Sequence, residues 1–313
     1  MELSRLTKVE VATLDKNASP VQITVKSESE TIQVEEIHTK VCKELGLEEK
    51  SKQYFFIFEG KSRPKKRYKN IESIKGQITE PISVQKWCFD MKIEQSVLMK
   101  DPAALHLLYV QAMHEIETGN LIASAEDIQK LEEYSDPGFP VENQYVSLCQ
   151  SLPHYNAVQF RGCCLDEVFT FNSVVMENGM QVCVWITKLG LELHPTVNNK
   201  SSAFLVPWQS IKSWKKVHGR ETVIGYEIGY ADTCWLYLNT DQALLMLDAT
   251  MSVIKVLQME DQDQPFFTAS MISREKTKDD IAIMAHWVNV LHKPGGAEVQ
   301  GIPPGLTDIT TVK

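Results

Sequence analysis

Two amphipathic helix patterns lie between two β-rich regions in this sequence. Across residues 105–131, apolar side chains recur every three or four positions on both sides of Gly119, which is the spacing of core-facing helices. Ser124 and Asp127 have the spacing of a capping box at the start of the second helix. A third helix is predicted at residues 141–152. Because so few helices bury little surface alone, we expect them to pack against neighbouring sheets.

The region before these helices predicts a small β-grasp lobe. Residues 8–14 and 21–26 alternate apolar and polar side chains around a turn-forming segment, which indicates a hairpin. Residues 32–45 have helical spacing, end before Gly46, and carry His38, which we expect at the surface. Strand-like runs follow at residues 54–60 and 82–89. We therefore predict a ubiquitin-like lobe at residues 6–90 and a helical lobe at residues 91–153.

After the helices, the pattern returns to strands. Seven short β-rich runs occupy residues 156–239, and a long helix pattern follows at residues 241–258. Strands closed by one C-terminal helix are typical of pleckstrin-homology and phosphotyrosine-binding (PH/PTB) folds. We assign residues 154–258 to such a lobe, so the predicted fold class is α+β with three lobes.

Composition and motifs exclude several functional classes. The formal net charge of -9 argues against duplex nucleic acid as a main partner. Seven cysteines without CxxC spacing argue against a disulfide framework or a zinc finger. No run approaches the roughly 20 apolar residues of a membrane span, and the first residues do not resemble a secretory signal. For these two reasons we expect a cytoplasmic location. Without a phosphate loop, HExxH or GxSxG, we expect no enzyme, no cofactor and no metal.

Three short motifs, in this order, resemble a FERM module over residues 6–258. They are LLYVQAMHEIETG in the helical region, SIKSWKKV in a strand of the third lobe, and Gln242-Ala243 at the start of the last helix. The likeness is greatest to the FERM-like half of the endosomal PX-FERM sorting nexins. It implies a ubiquitin-like lobe, an acyl-CoA-binding-protein-like helical lobe and a PH/PTB-like lobe.

The resemblance implies an adaptor for membrane cargo. In that family the third lobe binds Asn-Pro-x-Tyr-like motifs in the cytoplasmic tails of transmembrane cargo proteins. The whole module returns this cargo from endosomes to the cell surface. The tail would add a strand between the fifth strand and the last helix, where the family positions correspond to Trp214, Ile254 and Gln258. Lys215, next to Trp214, is a fourth predicted contact. Gln258 is polar where the family is apolar. This interpretation requires an open strand edge and an accessible Trp214. The alternative is a FERM scaffold that links membrane proteins or lipids to cytoskeletal or signalling partners.

The route to a membrane is a separate question. The family's PX domain precedes its FERM half, whereas about six residues precede the first strand here. Either the chain is a fragment or it reaches endosomal or other intracellular membranes differently. A basic run could bind anionic phospholipid, at about 1 kcal/mol per side chain, or it could be a solvated loop. Its members are Lys61, Arg63, Lys65, Lys66, Arg67 and Lys69.

Residues 259–313 form a tail without likeness to the family. Ile281, Met284, Val288 and Leu291 have helical spacing and predict an amphipathic helix at residues 279–292. Such a helix would either pack on the FERM body or act as a partner-recruiting or self-masking segment. The Gly- and Pro-containing residues after it are predicted to be disordered.

Overall fold

The computed structural model describes residues 5–28, 30–76, 78–134, 139–172, 174–196, 203–229, 233–260, 268–276 and 281–288. The chain divides into two compact units, Met1–Asn156 and Ala157–Lys313. The first contains a sheet and a group of helices, and the second contains a larger sheet with one long helix. This is the predicted α+β fold class.

In the described part of the first unit, seven strands form one sheet in the order β5-β4-β7-β1-β2-β3-β6. Strands β1 and β2 form the predicted hairpin, and β1 pairs in parallel with β7. A parallel central pair beside a hairpin, with a helix across one face, is the β-grasp arrangement. The elements are β1 (Arg5–Ala12), β2 (Val21–Glu28), β3 (Thr31–Gln33), α1 (Val34–Glu44), α2 (Glu49–Lys52), β4 (Phe55–Glu59), β5 (Lys66–Arg67), β6 (Ser73–Lys75) and β7 (Ile82–Lys86).

Helix α1 covers the sheet through a fully buried stripe that includes Val34, Ile37 and Val41. His38 lies beside this stripe, so the expectation of a surface position is wrong. It is 7% exposed, and its Nε2 lies 2.9 Å from the main-chain oxygen of Phe55. The hydrogen bond offsets the cost of burying the imidazole, which is why a polar side chain is tolerated there.

The helical part of the first unit follows directly. Asp101 caps α4 by accepting hydrogen bonds from the main-chain N–H groups of Ala103 and Ala104. Ser124 and Asp127 form the predicted capping box at the start of α5. The helices are α3 (Met91–Ser96), α4 (Pro102–Glu117), α5 (Ala125–Glu133) and α6 (Phe139–Ser151), with a 3-10 turn at Leu98–Lys100.

A buried ion pair connects the sheet of the first unit to its helices. Nζ of Lys86, at the end of β7, lies 2.8 Å from Oε2 of Glu94 in α3 and 2.6 Å from Oδ1 of Asn156. The Glu94 carboxylate also accepts hydrogen bonds from Gln150 and from the hydroxyl of Tyr155. Burial alone would raise the pKa of Glu94, but the attraction of Lys86 and these hydrogen bonds lower it overall.

In the described part of the second unit, nine strands form one antiparallel sheet in the order β13-β12-β11-β8-β16-β15-β14-β18-β17. Strands β9 and β10 pair separately. The elements are β8 (Val158–Leu165), β9 (Phe169–Phe171), β10 (Val174–Met176), β11 (Gln181–Ile186), β12 (Gly190–Pro195), β13 (Phe204–Pro207), β14 (Ile211–Lys216), β15 (Val223–Ile228), β16 (Cys234–Asn239), α7 (Ala243–Glu260), β17 (Thr268–Lys276) and β18 (Ile281–Val288).

Helix α7 packs against β11, β14 and β15. The buried hydroxyl groups of Tyr226 in β15 and Thr250 in α7 lie 2.8 Å apart and form a hydrogen bond. Apolar residues of α7, such as Leu245, Met246 and Val253, are almost fully buried. The helix therefore closes the core of this sheet, as the order of elements along the sequence predicts.

The predicted amphipathic helix at residues 279–292 is wrong, because Ile281–Val288 is the strand β18. Apolar residues are dense in this segment and include Ile281, Ile283, Ala285 and Trp287, which also alternate. A short apolar run fits both the helical and the strand period. Hydrogen bonding to β17 and β14 selects the strand. The remaining positions of the predicted helix and the predicted disordered end lie outside the described residues.

Candidate peptide-binding edge

The candidate site is the edge of β14, which lies beside α7. Strand β14 pairs with β15 on one side, in a register that places Trp214 opposite Tyr226. On its other side it pairs antiparallel with β18, where Ser213, Trp214 and Lys215 lie opposite His286, Ala285 and Met284. The expected open edge is therefore wrong: a strand from the C-terminal part of the same chain occupies it.

Trp214 is not available as an aromatic anchor in this arrangement. Its side chain is 1% exposed, and its cross-strand neighbour Tyr226 is fully buried. A large ring on the inner face of a sheet covered by a helix contributes to the core by removing apolar surface from water. The prediction that Trp214 is accessible is therefore wrong for the chain as described.

Lys215 lies on the opposite face of the sheet from Trp214, because side chains alternate along a strand. Its Nζ is 4.4 Å from the centre of the Trp235 ring, and this ring stacks on Tyr237. Gly225 lies against the rings of Trp235 and Tyr237, since a Cβ added there would be 2.7 Å from the Tyr237 ring. Lys215 thus forms part of an aromatic cluster on the outer face and does not adjoin Trp214.

The two predicted contacts on α7 differ from each other. Ile254 is 4% exposed and belongs to the buried stripe of the helix. Gln258, one turn later on the same face, is half-buried. Of the four residues assigned to peptide binding, Lys215 and Gln258 retain partial exposure, on separate elements.

The basic run is divided by its local structure. Lys66 forms an ion pair of 2.6 Å with Glu72, and the Arg67 guanidinium lies 4.6 Å from the Phe56 ring centre. Lys61 is half-buried, whereas Arg63, Lys65 and Lys69 are exposed. Three of the six members are therefore exposed to solvent, and β5 (Lys66–Arg67) holds two of the others against the sheet.

The pKa values of two buried thiols argue against a nucleophilic role. Burial raises the pKa of Cys42 and of Cys149 to about 12. Both thiols are therefore protonated at neutral pH, whereas the reactive form of cysteine is the thiolate. Their environment identifies them as core residues.

Sequence comparisons find no matching protein-family model and no matching curated protein. Structural comparison does find similar folds. One is the complex of the FERM and C-terminal domains of Drosophila Merlin, with 13% sequence identity, a TM-score of 0.53, and coverage of 82% of this chain and 98% of that chain. The chain has the FERM fold.

A second similar structure is the MyTH4-FERM MF2 domain of Dictyostelium discoideum myosin VII. It shares 13% identity with a TM-score of 0.55, and the match covers 82% of this chain and 61% of that one. At this identity the likeness establishes the fold alone, so the narrower likeness to PX-FERM sorting nexins stays a prediction. Within the described residues, no helix combines the length and apolar character that crossing a membrane requires.

Sequence reasoning missed the occupant of the β14 edge. The signal was present as the alternating apolar residues of 281–288, but the same run also has helical spacing. It also missed a polar cavity beside α4, because the side chains around it come from segments about 90 residues apart.

Proposed function

We propose that this chain is a non-enzymatic adaptor whose second unit binds a short extended segment by strand addition at β14. The observation that supports the proposal is the antiparallel pairing of Ser213–Lys215 with β18, because a strand from a distant part of the chain is hydrogen-bonded along this edge. Main-chain hydrogen bonds would supply affinity, and side chains of β14 and α7 would supply selectivity.

The proposed ligand is the cytoplasmic tail of a transmembrane protein with an Asn-Pro-x-Tyr-like motif, for endosomal sorting and recycling. Since β18 pairs with the same edge, a tail must displace β18 to bind. A tethered segment acts at an effective concentration on the order of millimolar, so the observed affinity for an external tail would be reduced accordingly. Lys215 and Gln258 are the proposed contacts that retain exposure, and Trp214 and Ile254 would support them from the core.

Peripheral binding to anionic membranes is a second part of the proposal. Arg63, Lys65 and Lys69 are exposed on one segment of the first unit. Three such side chains at a lipid surface would contribute about 3 kcal/mol at about 1 kcal/mol each. This contribution would orient an acidic protein on a cytoplasmic or endosomal membrane through one face.

The alternative function is a FERM scaffold that links membrane proteins or lipids to cytoskeletal or signalling partners through other surfaces. The burial of Trp214 favours this alternative. In that case β18 would be a permanent strand of the sheet, and external peptides would have no access to β14.

The test is a titration of fluorescent Asn-Pro-x-Tyr peptides against the full chain and against Ala285→Pro. Proline cannot donate a main-chain hydrogen bond and disrupts a paired strand, so this change weakens the pairing of β18 at the position opposite Trp214. Ala285→Ser is the matched control, because it keeps the main-chain donor. We expect Ala285→Pro to tighten peptide binding at least tenfold and Ala285→Ser to leave it unchanged.

A second variant examines the contact on α7. Gln258→Leu restores the apolar character that the resemblance implies at this position, and we expect several-fold tighter peptide binding. Lys255→Leu, an exposed position one turn earlier, is its control. Trp214→Ala is unsuitable as a probe, since emptying a buried Trp position costs about 3–5 kcal/mol of stability. If no peptide binds the wild type or Ala285→Pro while both remain folded, the scaffold function is the correct one.

A further inference from the structure

One isoleucine of the first unit is almost completely exposed. Ile71 is 90% exposed, the largest fraction among the large apolar side chains of the described residues. It lies in the turn between β5 and β6, where the main-chain N–H of Glu72 donates to the main-chain oxygen of Lys69 at 2.9 Å. A single exposed apolar side chain needs no explanation by itself, so the surroundings of Ile71 decide what it can bind.

The turn that carries Ile71 is fixed on both sides. Before it, the main-chain N–H of Tyr68, a buried residue, donates to the main-chain oxygen of Ile57 at 2.8 Å. After it, the main-chain oxygen of Glu72 accepts a hydrogen bond from the main-chain N–H of Val34 at 3.0 Å. These bonds join the turn to β4 and to the start of α1. The isoleucine side chain is therefore held in solvent, away from the core.

The basic run leads directly into this turn and gives it a positive charge. It provides six cationic side chains. Glu72 neutralises Lys66 through an ion pair of 2.6 Å, and Glu80 lies 3.8 Å from Lys65. Even when Glu59, opposite Lys66 in the sheet, is counted with these two carboxylates, three positive charges remain. The surface has the opposite sign to the chain as a whole, whose formal net charge is -9.

Two of the cationic side chains lie next to Ile71. Lys69 is the first residue of the same turn and is exposed. Lys66 is held beside the turn by its ion pair with Glu72, the residue after Ile71. At a membrane surface, ammonium groups stay among the lipid phosphates while a neighbouring apolar side chain enters the boundary between headgroups and acyl chains. The arrangement of charge and apolar surface at this turn matches that boundary.

The polar neighbours of Ile71 favour a bilayer over a folded protein partner. Within residues 66–76, all of which the structure describes, Ile71 is the one exposed large apolar side chain. The centre of a protein–protein interface contains clustered aromatic and aliphatic side chains, which this turn does not present. An anionic membrane instead attracts several basic side chains together and accepts one apolar side chain at shallow depth.

We propose that Ile71 inserts into the surface of a membrane that contains anionic phospholipid, while Arg63, Lys65 and Lys69 bind the headgroups around it. The inference rests on the membrane contact in the proposed function. It adds an apolar contact to that electrostatic one, and it fixes the orientation of the first unit, with the β5–β6 turn toward the bilayer.

The test is a titration of the full chain with vesicles of mixed phosphatidylcholine and phosphatidylserine, and with vesicles of phosphatidylcholine alone. Ile71→Ser removes the apolar surface, and Ile71→Leu retains it. We expect Ile71→Ser to weaken binding to the mixed vesicles about tenfold, equal to about 1.4 kcal/mol, because removing one such side chain from water has an effect of this order. Ile71→Leu should bind as the wild type does.

The matched control is Ile122→Ser, which changes another exposed isoleucine of the first unit and should leave binding unchanged. A thermal melt confirms that each variant is folded. Insertion itself is measured as the rise in surface pressure of a mixed-lipid monolayer held at constant area. We expect the wild type, Ile71→Leu and Ile122→Ser to raise the pressure and Ile71→Ser to leave it unchanged.

The proposal is overturned if Ile71→Ser binds the mixed vesicles and raises the pressure as the wild type does, or if Ile122→Ser loses as much binding as Ile71→Ser. If charge reversal of Arg63, Lys65 and Lys69 still abolishes binding in that case, the electrostatic contact of the proposed function stands without an apolar insertion. If the wild type does not bind the mixed vesicles, both the membrane contact and this inference are wrong. Equal binding to phosphatidylcholine alone would overturn the role of the basic side chains.

Discussion

Replacing Lys86 by methionine should strongly destabilise the first unit. Methionine retains most of the side-chain volume but removes the charge, so the Glu94 carboxylate, which is 0% exposed, loses its cationic partner. Breaking a buried ion pair by removing one partner typically costs about 3–5 kcal/mol. The hydrogen bonds from Gln150 and Tyr155 persist, so we expect the lower end, about 3 kcal/mol.

The assay is urea-induced unfolding, monitored by hydrogen exchange. Exchange in peptides that cover residues 82–96 reports on the first unit alone. With a urea dependence of about 2 kcal/mol per molar, a loss of about 3 kcal/mol lowers the midpoint by about 1.5 M. A double variant with Glu94→Leu removes the carboxylate that Lys86→Met leaves without its cation, and it should be more stable than Lys86→Met alone. Together with the wild type and the Glu94→Leu single variant, these two variants form a double-mutant cycle that measures the coupling between the two side chains.

The pair also predicts how stability depends on pH. The folded-state pKa of Glu94 is lowered overall, although burial opposes this. Its contribution is therefore fully present above the unfolded-state pKa of about 4.3 and is lost as the pH falls through the lower folded-state value. In the wild type, acidification below about pH 4 should destabilise the first unit more steeply than in the double variant. The reasoning is refuted if Lys86→Met shifts the midpoint by less than about 0.3 M, or if the double variant is the less stable of the two.

Two further predictions concern the first unit. Ser124→Ala removes the capping box of α5 and should cost about 1 kcal/mol, seen as faster hydrogen exchange in α5. Ser147→Ala, at an exposed position inside α6, should change stability by less than about 0.5 kcal/mol, and equal effects of the two changes would contradict the capping argument. The second prediction concerns the exposed basic residues Arg63, Lys65 and Lys69. Reversing their charges should abolish flotation of the protein with phosphatidylserine vesicles, because each contributes about 1 kcal/mol to binding. Unchanged flotation would exclude this lipid contact. The control reverses three exposed lysines on other segments, Lys50, Lys100 and Lys130.

Local signals predicted most of the secondary structure. The apolar stripe of α4, the Ser124–Asp127 capping box and the β1–β2 hairpin depend on interactions within a few residues, and the structure contains all three. The order of these elements predicted the α+β class and the succession of lobes, and the resemblance of three short motifs added the FERM fold.

The candidate site was less predictable. Lys215 could be assigned to a strand, but its ring partners come from β16, and the contact depends on the register between strands. His38 and His114 are polar residues on helix faces whose burial depends on which chain segments cover them. A sequence contains the residue types of such contacts but not their distances.

The sequence by itself determined the periodicities, the caps and the order of the lobes, since each arises from neighbours along the chain. Only the tertiary structure decided that residues 281–288 form a strand and that this strand pairs with β14. The physical reason is that an apolar run of eight residues has no intrinsic preference strong enough to select one conformation. Hydrogen bonds to the main-chain N–H and C=O groups of the β14 edge made that selection. Strand β14 lies about 70 residues earlier in the chain.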